Sequence, residues 1–212
     1  MVQAEPNPNS LLIIFKEAEM LLRRLFILAA ASFVLTACQT VDLPPPPKFE
    51  ASAYAPLSLN ARKLDIISNW VMPLEDPYQE HLLQPNPSDV LTDWAARVLL
   101  PAGGSGELVL DISEASVTVS DLPKSEKFLD SFNDRQDSII RVTYSAMLMW
   151  LQPVGGQQAA IEVRSSATQT LAESSRPIDY DVAIQETILS ALAEMDQKLR
   201  VEIATIDGVV LP

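Results

Sequence analysis

The feature that most constrains this chain is a long alternating stretch, "SIIRVTYSAMLMWLQPVGGQQAAIEVRSSAT", at residues 138–168. Ile140, Val142, Tyr144, Ala146, Leu148 and Trp150 share one parity, "PVGGQQ" turns the chain, and Ile161, Val163 and Ala167 return on the same face. Side chains alternate across a strand, so this is a hairpin with one apolar face that must be covered.

The flanking segments supply the cover. In "ELVLDISEASVTVSD", Leu108, Leu110 and Ile112 alternate, the phase shifts near Glu114-Ala115, and Val117 and Val119 resume it, which predicts a bulged strand. Upstream, Asn86-Pro87-Ser88-Asp89 has the residues of a helix opening, with Asn86 as cap, Pro87 first and Asp89 at the positive end of the dipole. Val90, Leu91, Trp94, Ala95 and Val98 then form one stripe, and Pro101 with "GGSG" stops the helix. "KLDIISNWV" alternates as a half-buried strand, with Leu64, Ile66 and Trp70 on one side. Near the C-terminus Ile188, Leu192, Met195, Leu199 and Ile203 recur at helical spacing, with Asp179 or Asp181 as cap. The expected fold class is therefore α+β. It is a two-layer sandwich, with a mainly antiparallel four-stranded sheet, two helices packed on one face, and the order β-α-β-β-β-α. Thr143, Ser145, Ser166 and Thr168 are expected to populate the other face.

The front of the chain reads as an address. From Met20, Arg23 and Arg24 precede an apolar run from Leu25 to Ala37, the charged and apolar regions of an export signal. The run is too short to span a bilayer, which takes about 20 residues. Residues 1–19 read as an over-extended start, although "LLIIF" within them is also apolar. The run ends in Leu35-Thr36-Ala37-Cys38, and Cys38 is the only cysteine. This tetrapeptide resembles the lipobox of bacterial lipoproteins. The resemblance implies that Cys38 receives a diacylglyceryl group, that the signal 20–37 is cut before it, and that the mature N-terminus carries several acyl chains. Burial is worth about 0.8 kcal/mol per CH₂, and more than one chain makes such an anchor stable. A signal anchor with an incidental buried cysteine is the plain alternative. In the lipoprotein family an Asp after the cysteine marks inner-membrane retention, so Gln39 implies the outer membrane. Residues 38–60 include four prolines at 44–47, which favour an extended spacer of about 3.1 Å per residue. A globular domain at 61–206 and a tail at 207–212 are expected to follow.

The candidates for chemistry are few. A formal charge of −13 argues against a nucleic-acid partner. One cysteine leaves no disulfide framework and no Cys-rich zinc site. His81, also the only one of its kind, sits in a proline-rich loop and reads as a solvated side chain rather than a general base. "GGSGE" follows a helix and lacks the P-loop lysine. Glu75, Asp76 and Glu173 belong to a set of 28 acidic residues that yields such pairs by chance. "DSFNDRQD" lacks the central glycine and final glutamate of a calcium loop. Trp70, Trp94 and Trp150 are expected in the core.

No enzyme emerges, and no cofactor is expected beyond the covalent lipid on Cys38. Lipobox, extended tether and a strand–helix–three-strand–helix domain ending in "ALAEMDQKL" resemble envelope lipoproteins of the ABC-type transport auxiliary group (PqiC/YmbA type) or LptE-like assembly lipoproteins. Either resemblance implies a non-catalytic accessory subunit on the periplasmic face of the outer membrane, with a transporter subunit or β-barrel as partner. An anchored module that contacts peptidoglycan or inhibits an envelope enzyme is the alternative from a different class. A hydrolase using His81 stands third.

Overall fold

The structure is a computed structural model and describes residues 45–122, 136–172 and 174–211; of Gln136 and Asp137 only the backbone is described. Pro45 onward forms one compact unit. Its elements are β1 (Leu57–Leu59), β2 (Lys63–Ser68), α1 (Pro87–Val98), β3 (Leu99–Pro101), β4 (Glu107–Asp121), β5 (Gln136–Gln152), β6 (Gln157–Ala172) and α2 (Pro177–Ile203).

The four-stranded sheet has the order β2-β4-β5-β6. The pairs β4–β5 and β5–β6 are antiparallel and β2–β4 is parallel. The parallel pair follows from connectivity, because the chain leaves β2, passes through α1 and re-enters the sheet from the same end. Two short strands absent from the sequence reading, β1 and β3, pair parallel to each other beside it. They are three residues each, too short to show a period.

The expected inward residues all converge. Leu108, Leu110, Ile112, Val117, Ile140, Val142, Tyr144, Ala146, Leu148, Trp150, Ile161 and Val163 are buried, and Val119 and Ala167 are partly so. The β4–β5 register shifts between Ile112 and Glu114. That single bulge returns Ala115 and Val117 to the core side.

Both helices cover this face. Asn86 caps α1, its side-chain oxygen accepting the Asp89 N–H at 2.9 Å. Val90, Leu91, Trp94, Ala95 and Val98 are buried. The Tyr144 hydroxyl donates to the Pro87 carbonyl at 3.2 Å, and burial raises the pKa of its phenol well above the usual range. On α2, Asp179 acts from inside the first turn rather than as the cap. Its carboxylate accepts the Arg176 N–H at 2.9 Å and pairs with that guanidinium. The pairing holds the Asp179 pKa below the usual carboxylate range. The 27 residues of α2 run about 40 Å. The helices meet where the Trp94 indole donates to Asp196 at 3.2 Å, and Arg200 grips the same carboxylate.

The domain reaches further in both directions than the expected 61–206. Phe49, Tyr54 and Leu57 lie against the core, Leu59 is fully buried, and Arg200 donates to the Ala55 carbonyl. At the other end Val209 is buried and Leu59 bridges to Val210. So the final part of the 38–60 spacer, and Val209 and Val210 of the expected 207–212 tail, contribute to the core. They were unreadable because β1 is too short, and the backbone around Phe49, Tyr54 and Val209 too irregular, to carry a period. The glycine loop does more than stop a helix. Trp150 donates its indole N–H to the Asn60 carbonyl at 2.8 Å, and a Cβ on Gly106 would collide with both groups.

Candidate functional site

Arg23, Arg24, Leu35, Thr36, Ala37, Cys38, Gln39 and Glu173 lie outside the described residues, as do residues 123–135, which include most of "DSFNDRQD". His81 sits exposed in a 3-10 turn, Glu80–Leu82, with no hydrogen bond to another described residue. Its neighbour Glu80 is the buried group, accepting the Val117 N–H at 3.1 Å. Glu75 and Asp76 are exposed. Among the described residues no three His, Cys, Asp or Glu side chains are placed to share a metal ion, and no helix is long and apolar enough to cross a membrane. Trp94 and Trp150 are core residues as expected, whereas Trp70 is half-buried at the margin, with an indole N–H that is buried and unpaired.

The chemistry of interest lies on the outward face of the sheet. The expected Thr143, Ser145, Ser166 and Thr168 do lie there, in its polar half. Register aligns Ser116, Thr143 and Ser166, and in the next row Glu114, Ser145 and Arg164. Arg164 reaches Glu114 at 2.9 Å across that row, and the Ser116 hydroxyl donates to the same carboxylate at 2.9 Å. These partners shield the small residues, so Ser116, Thr143 and Ser145 are buried.

The half nearer the β5–β6 turn is different. There the rows read Glu107–Leu151–Gln158, Val109–Met149–Ala160 and Asp111–Met147–Glu162, with Ile67 opposite Asp111. Ile67, Met147, Met149 and Leu151 remain 44%, 39%, 36% and 49% exposed. The sequence reading expected a polar face here and missed this patch. The signal was present in "AMLMWL", six residues apolar at both parities, which marks a strand with something on each side. Charged groups rim the patch: Arg62 and Lys63 pair with Glu107, and Asn69 donates to Asp111. Arg62 holds the Glu107 pKa below the usual carboxylate range.

Beside this patch the sheet ends at β6. Its upper part is closed by α2, where Glu194 accepts the Ser166 N–H at 3.2 Å and Lys198 donates to the Arg164 carbonyl at 2.9 Å. Lys198 also pairs with Glu194, lowering that carboxylate's pKa. Below this clamp Gln158, Ala160 and Glu162 are exposed, no strand pairs with their outer edge, and no hydrogen bond from another described residue reaches it. An unpaired strand edge next to an apolar surface can accept another strand.

No family model matches the chain, and no curated protein does. Among solved structures it is similar to rare lipoprotein B from Shewanella oneidensis, with 11% identity over 67% of this chain and 96% of that one, at a TM-score of 0.36. It is similar to a candidate lipoprotein from Caulobacter crescentus CB15, with 18% identity over 66% and 88%, at a TM-score of 0.31. It is also similar to a Xanthomonas campestris protein of the DUF330 family, with 12% identity over 74% and 95%, at 0.32. Two of these three bear the name lipoprotein.

Proposed function

We propose that the protein is an envelope lipoprotein, acylated at Cys38 and held on the periplasmic face of the outer membrane. There it serves as a non-catalytic adaptor in lipid or lipopolysaccharide transport or assembly. The export signal with Arg23 and Arg24, the Leu35–Cys38 tetrapeptide and Gln39 support the anchoring and sorting. The observation that carries the adaptor reading is the join between Met147, Met149 and Leu151 and the open edge of β6. Methionine is enriched in protein interfaces. Main-chain hydrogen bonds along a strand edge supply affinity, while alternate side chains supply selectivity. The partner this arrangement fits is an extended segment of another envelope protein, with a large apolar side chain placed beside Ala160.

A photo-crosslinking residue at Met149, in intact cells, tests the reading. The expected product is a covalent adduct with a transporter subunit or β-barrel, lost when Ala160→Pro closes the edge and not formed from Thr168. Adducts only with peptidoglycan would overturn it. Incorporation of labelled palmitate, abolished by Cys38→Ser, tests the anchor separately.

A further inference from the structure

The described domain has two ends. At one lie the β5–β6 turn Pro153–Gly156, the Gly103–Gly106 loop and the last turn of α2. At the other, β4 finishes at Asp121 and α2 begins at Pro177. Asp121 pairs with Ser138 on β5 and Ser138 with Leu171 on β6, a few residues before α2 starts, which brings the first turn of α2 to the end of β4. Pro46 and Pro47 also belong to this second end. With Leu82, Leu83, Pro85 and Asp181 they line a groove of about 350 Å³.

The same end displays apolar side chains to solvent. The strap between β2 and α1 turns at Glu75–Tyr78, and the Pro77 carbonyl accepts the Val119 N–H at 2.9 Å, close to where β4 stops. Leu74, just before that turn, is 76% exposed, and Leu82, on the rim of the groove, is 67% exposed. From Pro45 the chain leads back to Cys38 in seven residues. Even fully extended at about 3.6 Å per residue, that is about 25 Å. An acylated sulfur at a bilayer surface therefore keeps this end within about 25 Å of that surface.

From this juxtaposition we infer that the tether end of the domain rests on the bilayer, with Leu74 and Leu82 entering its interface as a second contact beside the lipid on Cys38. The inference rests on the lipoprotein reading above. The occupant is a lipid surface because the length and exit point of the tether deliver nothing else to this end. Lys48 and Asp181 balance within the groove and Arg176 is paired with Asp179, which leaves Glu75 and Asp76 beside Leu74, so the headgroups that fit are zwitterionic rather than anionic. Met147, Met149 and Leu151 then lie toward the opposite end of the domain, in the half of the sheet nearer the β5–β6 turn.

The test uses full-length protein purified from membranes, with its lipid verified by intact mass. Single cysteines replace Leu74, Leu82 or Val154, and are labelled selectively because the Cys38 sulfur is already a thioether. An environment-sensitive dye at each position is read in phosphatidylcholine–phosphatidylethanolamine vesicles containing nitroxide lipid. The expected result is blue-shifted, quenched emission at positions 74 and 82, and neither change at 154. Lipid-bearing protein unquenched at 74 and 82, or quenched equally at 154, overturns the inference and leaves the lipoprotein reading standing. A mass without lipid overturns both. All three side chains are exposed, so matched thermal unfolding of the variants confirms that folding is intact.

Discussion

Met147 and Leu148 are neighbours on β5 and belong to different worlds. Leu148 is 2% exposed beneath the helices, while Met147 is 39% exposed on the opposite face. The inward face is apolar on successive strands in register under α1 and α2, apart from Ser165, whose hydroxyl donates to the Ala191 carbonyl of α2. The outward face is split between a hydrogen-bonded lattice around Ser145 and an uncovered apolar patch around Met149. A layer that folding requires is filled along its whole length. A layer that folding does not require is filled only where polar groups can satisfy one another, and what remains apolar is available for binding.

The sharpest way to break this contrast is to truncate the adjacent pair. Leu148→Ala should cost about 2–5 kcal/mol in chemical denaturation, because it removes buried contacts and leaves a cavity. Met147→Ser should stay within about 0.5 kcal/mol. Equal losses for the two would mean that the outward face is also part of the core. Tyr144→Phe comes next, at about 1 kcal/mol, since it removes the hydroxyl's hydrogen bond to the Pro87 carbonyl without changing shape. Arg164→Ala should cost less than about 1 kcal/mol, as expected for an exposed ion pair, and its main effect should be to make Ser145 accessible.

The smallest effect is the acid dependence of the rim and clamp. Arg62 and Lys198 hold Glu107 and Glu194 below the ordinary carboxylate range in the folded protein. Their contribution is therefore present above that range and is lost as the pH falls through the lowered values. Melting temperature measured from pH 7 downward should fall on the acid side. Lys198→Ala should flatten part of that fall, and a variant melting with unchanged acid dependence would remove Glu194 from the account.

Much of the inward face was legible in the sequence. The hairpin, the bulge near Glu114, the stripe of α1 and that of α2 all repeat with the period of their own backbone. Each was readable because a side chain's direction is set by its position along a regular element. Less legible were β1, β3, the buried Val209 and the bond from Trp150 to Asn60, since these depend on partners distant in the chain and carry no period. The open edge of β6 was not legible at all: which strand ends a sheet depends on the order in which strands assemble.

By itself, the sequence determined the long elements and the face each one buries, and it raised the expectation of an export signal ending at Cys38. Only the tertiary structure decided that β2 runs parallel to β4, that Glu194 and Lys198 close one half of an edge, and that Met149 lies beside the other. Local period dictates where a side chain points, whereas long-range pairing alone decides what it then faces.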